Sequence, residues 1–351
     1  MRNNMEVKFL LEDILVPSST ETIISLLLLF GFVAVTVKLF VGLLSNSKEA
    51  DKSSLQGWIW LISFFLNYTL VAIPGRFDDL AAGPSQSEYM RQQSARQFFR
   101  LISHREVHWD AIFKPASYVF IIWALIYVGE LAYTILTALI SFGFISLSPM
   151  AFPHKMSISC VVSWAVGHLL QALWCCLFRP YFKRYLWLTN IILVISLVAF
   201  CTVHVQLSET LKDTKTAFFK GAVTCIRFVV ALHAGWLSVG CLLGINAWFA
   251  VIKLPYYLQY AAAMASPYVG AIIAVLLSHI LHDVTLSAPI AWGLIGVAYE
   301  RQLNPHAQID IISSQAFCLT CSTIGYSIFA GAVASVICRR LVIFLRWLLS
   351  F

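Results

Sequence analysis

PASYVFIIWALIYVGELAY, residues 115–133, sets five aromatic rings and one carboxylate, Glu130, in an apolar run that continues to about Phe142. A run of that length is enough to cross a bilayer as a helix. Proline is tolerated in the first helical turn, where its missing N–H would have had no partner, so Pro115 is expected to open the helix. Glu130 then falls near its middle, at the depth where an ionisable group is most costly to hold.

The rest of the chain has the same character. Its 351 residues are 60% hydrophobic and 12% charged, with a mean hydropathy of +0.80. That leaves too little polar surface for a water-soluble domain. The apolar runs are continuous rather than alternating every second residue, which predicts an all-α, polytopic transmembrane helical bundle and not a barrel. Runs at 23–44, 58–74, 117–142, 157–178, 186–207, 226–252, 267–281, 284–300 and 315–338 give about nine spans, with eight as the fallback. The first run is too long for a signal-peptide core and is expected to be retained. Lys and Arg are nearly balanced between alternate loops, so orientation is weakly determined, with an inside N-terminus slightly favoured.

Part of the net charge of +7 is gathered after the second span. Within 91–105, Ala95, Phe98, Phe99 and Ile102 have helical spacing, with Arg96, Arg100 and Arg105 among them. This pattern suits either a helix lying on anionic lipid or a solvated loop with a few buried rings. A nucleic-acid interface is not expected, because no basic and aromatic groove stands on a soluble fold.

The nine cysteines lie in or beside apolar runs and read as small apolar fillers. Cys318 and Cys321 form a CxxC, but no second pair or histidine cluster accompanies it, so no metal site is expected. Asn67, Tyr68 and Thr69 spell a glycosylation sequon whose place inside the second span argues against use.

Intramembrane ionisable residues are the natural functional candidates. Glu130 and His168 sit near the centres of the third and fourth runs, and Gln171 lies one turn beyond His168 on the same face. They form a candidate polar pair between adjacent helices, for proton relay, ligand coordination or simple clasping. His204, His233, His279 and His282 are placed nearer span ends, in structural roles. His282 and Asp283 are expected to be exposed in a turn, and Arg227 and Lys38 to snorkel. No phosphate loop, nucleophile elbow or HExxH occurs, so the chain is not expected to be an enzyme. Most of the 11 tryptophans read as an interfacial belt. Trp123, Trp174 and Trp236 stand among small or polar residues within spans, where a flat ring can line a cavity and stack on a flat ligand.

Three segments together resemble the translocator protein and tryptophan-rich sensory protein family. In residues 115–127, Pro115, then Tyr118, Val119 and Phe120, then Trp123 and Tyr127 match the family's second-helix signature. In 171–179, Trp174, Phe178 and Arg179 match the third-helix pattern, with Gln171 in place of an asparagine. In 233–246, Trp236 is followed by small residues, with Gly244 at the family's asparagine position and Asn246 two residues later. Residues 65–74 resemble, more weakly, the end of the first helix in longer members.

The resemblance covers roughly 58–253. It implies a TspO-like five-helix core at 57–253, capped by the loop 75–114, with an N-terminal tail and extra helix at 1–56 and three more helices at 254–351. It also implies a pocket for a porphyrin, haem, sterol or related flat lipophile, lined by Phe120, Trp123, Tyr127, Trp174, Phe178, Trp236 and Asn246. The family has no carboxylate at the position of Glu130. Two permissive sterol-type patterns, around Tyr181 and Tyr299, add little.

The expected function is therefore an integral membrane ligand-binding or sensory protein in contact with the lipid bilayer. The alternatives are a proton-coupled transporter of a lipophilic or anionic solute, and a structural subunit. The small-residue stretch at 330–335 offers a packing face for a homodimer or a membrane complex.

Overall fold

The nine apolar runs become nine α-helices among the described residues of a computed structural model, which cover 20–46, 49–72, 111–142, 157–178, 185–214, 216–304, 306 and 309–348. They are α1 (Thr20–Asn46), α2 (Glu49–Ala72), α3 (Ile122–Ser141), α4 (Ile158–Leu177), α5 (Leu186–Asp213), α6 (Ala217–Val251), α7 (Tyr256–Ile280), α8 (Ser287–Leu303) and α9 (Ile311–Leu348). Single 3₁₀ turns, Ser117–Ile121 and Val284–Leu286, lead into α3 and α8. No strand occurs among the described residues.

Six of these segments are long and apolar enough to span a membrane: α3 with its leading turn, α4, α5, α6, α7 and α9. The chain is an all-α, multi-pass integral membrane protein. The segment 91–105, expected to touch lipid, and most of the cap 75–114 lie outside the described residues.

The start of α3 differs from the expectation. Pro115 stands before the helix and not in its first turn, because Ala116 is extended (φ −60°, ψ 147°) and gives its N–H to the Gly296 carbonyl at 3.0 Å. This bond belongs to a set by which α8 holds the approach to α3. Trp292 Nε1 donates to the Val119 carbonyl at 2.9 Å, and the Arg301 guanidinium donates to the carbonyls of Ala111 (2.6 Å) and Ile112 (2.7 Å). From α9, Phe317 meets Phe113 edge-on. The last helices thus position the stretch that opens the candidate site.

At the centre runs α6, whose 35 residues make it about 50 Å long, well beyond a bilayer's hydrocarbon thickness. It packs on α3, α5, α7 and α8. In lipid, helices associate through close packing and polar contacts rather than through the hydrophobic effect. The bundle shows both devices. Gly129 lets α3 approach Val229 of α6, Gly167 makes room for Phe200 of α5, and Gly235 of α6 lies against the Leu286 carbonyl. The small-residue stretch on α9 behaves otherwise: nothing comes within 4 Å of where a Cβ on Gly331 would stand.

Candidate functional site

Spacing along α3 places Trp123, Tyr127 and Glu130 on one face, four and three residues apart. The first two belong to an aromatic group, the third to a buried polar cluster, and Tyr127 joins them.

In the aromatic group, Trp123 stacks on Tyr127 (ring centroids 5.3 Å, 16° between planes) and meets Trp236 of α6 edge-on at 6.3 Å. Phe120 meets the same Trp236 at 5.7 Å. Trp236 and Tyr127 are buried, whereas Phe120 and Trp123 are half-buried and present accessible ring surface. Offset and edge-on contacts of this kind add about 0.5–1.5 kcal/mol each to the burial of the rings, and they fix the ring planes.

The polar cluster is drawn from four helices. His233 Nδ1 of α6 lies 2.6 Å from Glu130 Oε1 of α3. His168 Nε2 of α4 lies 3.9 Å from Glu130 Oε2, within ion-pair range and beyond a hydrogen bond. The Asn67 amide of α2 donates to His168 Nδ1 at 2.8 Å and to Gln171 Oε1 at 3.0 Å, and Gln171 Nε2 donates to the Tyr127 hydroxyl at 3.2 Å. Glu130, His168, His233, Gln171 and Asn67 have no solvent-exposed surface. Because Asn67 donates to Nδ1, neutral His168 carries its proton on Nε2, the nitrogen facing Glu130. Three buried atoms of the cluster, Glu130 Oε2, His168 Nε2 and His233 Nε2, have no hydrogen-bond partner. Phe200 of α5 walls the cluster, stacking on His233 at 3.9 Å and meeting His168 edge-on at 5.1 Å.

Two members of this cluster were not legible as such in the sequence. His233 was placed near a span end, but α6 begins at Ala217, which puts His233 near mid-helix. Asn67 stood out only as a sequon, and its side chain is buried and hydrogen-bonded.

The remaining expected site residues, Trp174, Phe178 and Asn246, have further contacts of their own. Trp174 stacks on Phe178 at the end of α4, packed against Leu170, Leu173, Leu177 and Ile192. Asn246 lies ten residues, about 15 Å, along α6 from Trp236. It donates to Ser266 Oγ at 2.7 Å and so clasps α6 to α7. A cavity of about 480 Å³ opens elsewhere, between α8 and α9, where Arg301, Gln302, Ser314, Gln315, Cys318 and Ser322 line it. None of the expected aromatics reaches it.

A second ionic cluster corrects three further expectations. Asp283 is buried and not exposed: its Oδ2 accepts from Arg227 Nη2 at 2.6 Å and lies 3.0 Å from His204 Nε2, while its Oδ1 accepts from the Thr285 N–H at 2.9 Å. Burial alone raises the Asp283 pKa, but the hydrogen bonds from His204 and Thr285 and the Arg227 charge outweigh it and hold the carboxyl well below the usual carboxylate range. Arg227 is consequently paired and does not snorkel, and His204 is fully buried. His282 is exposed, at a positive φ of 51°. All nine cysteines are free thiols, and no group of three or more His, Cys, Asp or Glu side chains among the described residues has the spacing to hold a metal ion.

Among known proteins, a family model described as TSPO-like protein matches residues 99–329, more than half of the chain. No curated protein and no solved structure matches.

Proposed function

The chain belongs to the TSPO-like protein family, and on that premise we propose that it binds a flat lipophilic molecule, of the tetrapyrrole or sterol kind, against the rings of Phe120, Trp123, Tyr127 and Trp236. The reading is of a binding or sensory protein in the bilayer, not of an enzyme. One observation carries it: α3 with its leading turn and α6, distant in sequence, bring four rings together, and two of those rings are only half-buried. Binding sites for such ligands are lined mostly by apolar and aromatic side chains with a few placed polar groups, and Tyr127 with the polar cluster behind it supplies those.

Photolabelling locates the ligand. A porphyrin bearing a photoreactive diazirine, irradiated with the purified protein, is expected to label peptides from 117–141 and 217–251, with excess unlabelled porphyrin suppressing the label. Labelling confined to the exposed apolar face of α9, and insensitive to competitor, would mean partition from lipid and no site at the rings.

A further inference from the structure

The Glu130, His168 and His233 cluster has a use that the aromatic group alone does not explain. Counting charge from its bonds, the Glu130 and His233 pair is neutral when it holds one proton beyond carboxylate and neutral imidazole. Without that proton it would be a buried anion, which costs several kcal/mol. A second proton has somewhere to go. The neutral pair carries one proton in the 2.6 Å contact and one on Glu130 Oε2 or His233 Nε2, and the other of these two partnerless atoms can take a proton without breaking a hydrogen bond. His168 is less free, since a proton on its Nδ1 would displace the bond from Asn67. Its Nε2–H instead faces Glu130 Oε2 across 3.9 Å.

The cluster also touches the aromatic group at two points. His233 meets Trp123 edge-on at 5.5 Å, and Tyr127 gives its ring to Trp123 while its hydroxyl accepts from Gln171.

We propose that Glu130, His168 and His233 form a proton-binding centre linked to the aromatic site, so that a lipophile carrying a carboxylate is bound together with one proton. This rests on the binding reading above. The proton is taken from solution and adds an O–H or N–H bond in the Glu130 and His233 pair. The centre's charge rises from zero to plus one and offsets the ligand's carboxylate, so the loaded site is neutral overall. A neutral lipophile needs no such partner and binds without proton uptake.

The surrounding groups leave this role to the cluster. Tyr133 on α3, Tyr68 on α2, Cys160 on α4 and Tyr127 itself bring only phenols and a thiol, weaker proton acceptors than imidazole or carboxylate. On α5 and α6, His204 and Arg227 are tied to Asp283.

Two probes sharing a flat ring system separate the possibilities: pyrenebutyrate, ionised at pH 7, and pyrenebutanol, neutral. Calorimetric titrations of the full-length protein in buffers of different ionisation enthalpy give the protons taken up per ligand. About one is expected for pyrenebutyrate and none for pyrenebutanol. One linked proton also weakens pyrenebutyrate binding by about tenfold per pH unit as the pH rises, with pyrenebutanol flat. In His168→Gln with His233→Gln, the uptake with pyrenebutyrate should vanish while pyrenebutanol still binds.

Equal proton counts for the two probes in the parent protein would overturn the proposal, whatever the folding of the variants. So would uptake that persists in the double variant, which would place the proton on the probe. If neither probe binds in a way that Trp123→Ala weakens, it is the aromatic site that fails, a distinguishable outcome.

Discussion

Replacing Glu130 with leucine is expected to lower the stability of the protein in detergent by about 2–4 kcal/mol, because His233 would then be left buried without its 2.6 Å partner. The larger apolar side chain does not compensate, since the imidazole loses the acceptor that satisfies Nδ1 and gains nothing. Glu130→Gln keeps an acceptor oxygen at the same reach and should cost less than half as much. The combination of Glu130→Leu with His233→Leu should recover much of the loss, because the desolvated polar group goes with its partner. Thermal unfolding of the four proteins measures this directly. Equal destabilisation by leucine and glutamine, or no recovery in the double variant, would mean that the contact does not join α3 to α6.

The second large effect is expected at Arg301, far from the polar cluster. Its side chain is buried and forks onto the carbonyls of Ala111 and Ile112, fixing the chain just before Pro115. Arg301→Ala should cost about 3 kcal/mol, from the charge-assisted hydrogen bonds to Ala111, Ile112 and Asn304 and the carbonyls of Ala111 and Ile112 left in a dry environment. Arg301→Lys should recover little, since an ammonium cannot reproduce the planar fork. Protease sensitivity around 111–116 and thermal unfolding both report the change. Full stability in the lysine variant would show that charge alone suffices and that the fork is incidental.

Both sites show what a single sequence reveals and what it hides. Continuous apolar runs determine where helices form, because in lipid each helix must satisfy its own backbone, and so all nine fall where such runs lie. Charged residues near helix ends are harder to place from sequence where their partners are distant. The sixth apolar run reads as 226–252, with Arg227 near its terminus and His233 nearer that end than the centre. In the structure Arg227 is neutralised by Asp283, 56 residues away, so the helix extends past it to Ala217 and His233 becomes central. Asp283 was hidden by the same pairing, since an acidic residue in a short turn ordinarily faces water.

The candidate site divides along similar lines. Trp123, Tyr127 and Glu130 share a helix face, so their grouping follows from periodicity. The arrival of Trp236 and His233 depends on Gly129, which lets α6 come close enough for contact. Asn246 has a residue type that suits a ligand site, yet its partner is Ser266 of α7. Nor did the sequence reveal that α8 and α9 hold the approach to α3, because Trp292 and Arg301 act on it from 173 and 190 residues away.

Equilibrium titration of the purified protein with protoporphyrin, followed by quenching of tryptophan fluorescence, tests the central claim most directly. The account predicts saturable binding that weakens about tenfold in Trp123→Ala and again in Trp236→Ala, corresponding to about 1.4 kcal/mol for each ring, while Trp58→Ala, at an exposed ring on α2, leaves it unchanged. Saturable binding of equal affinity in all three variants would contradict it.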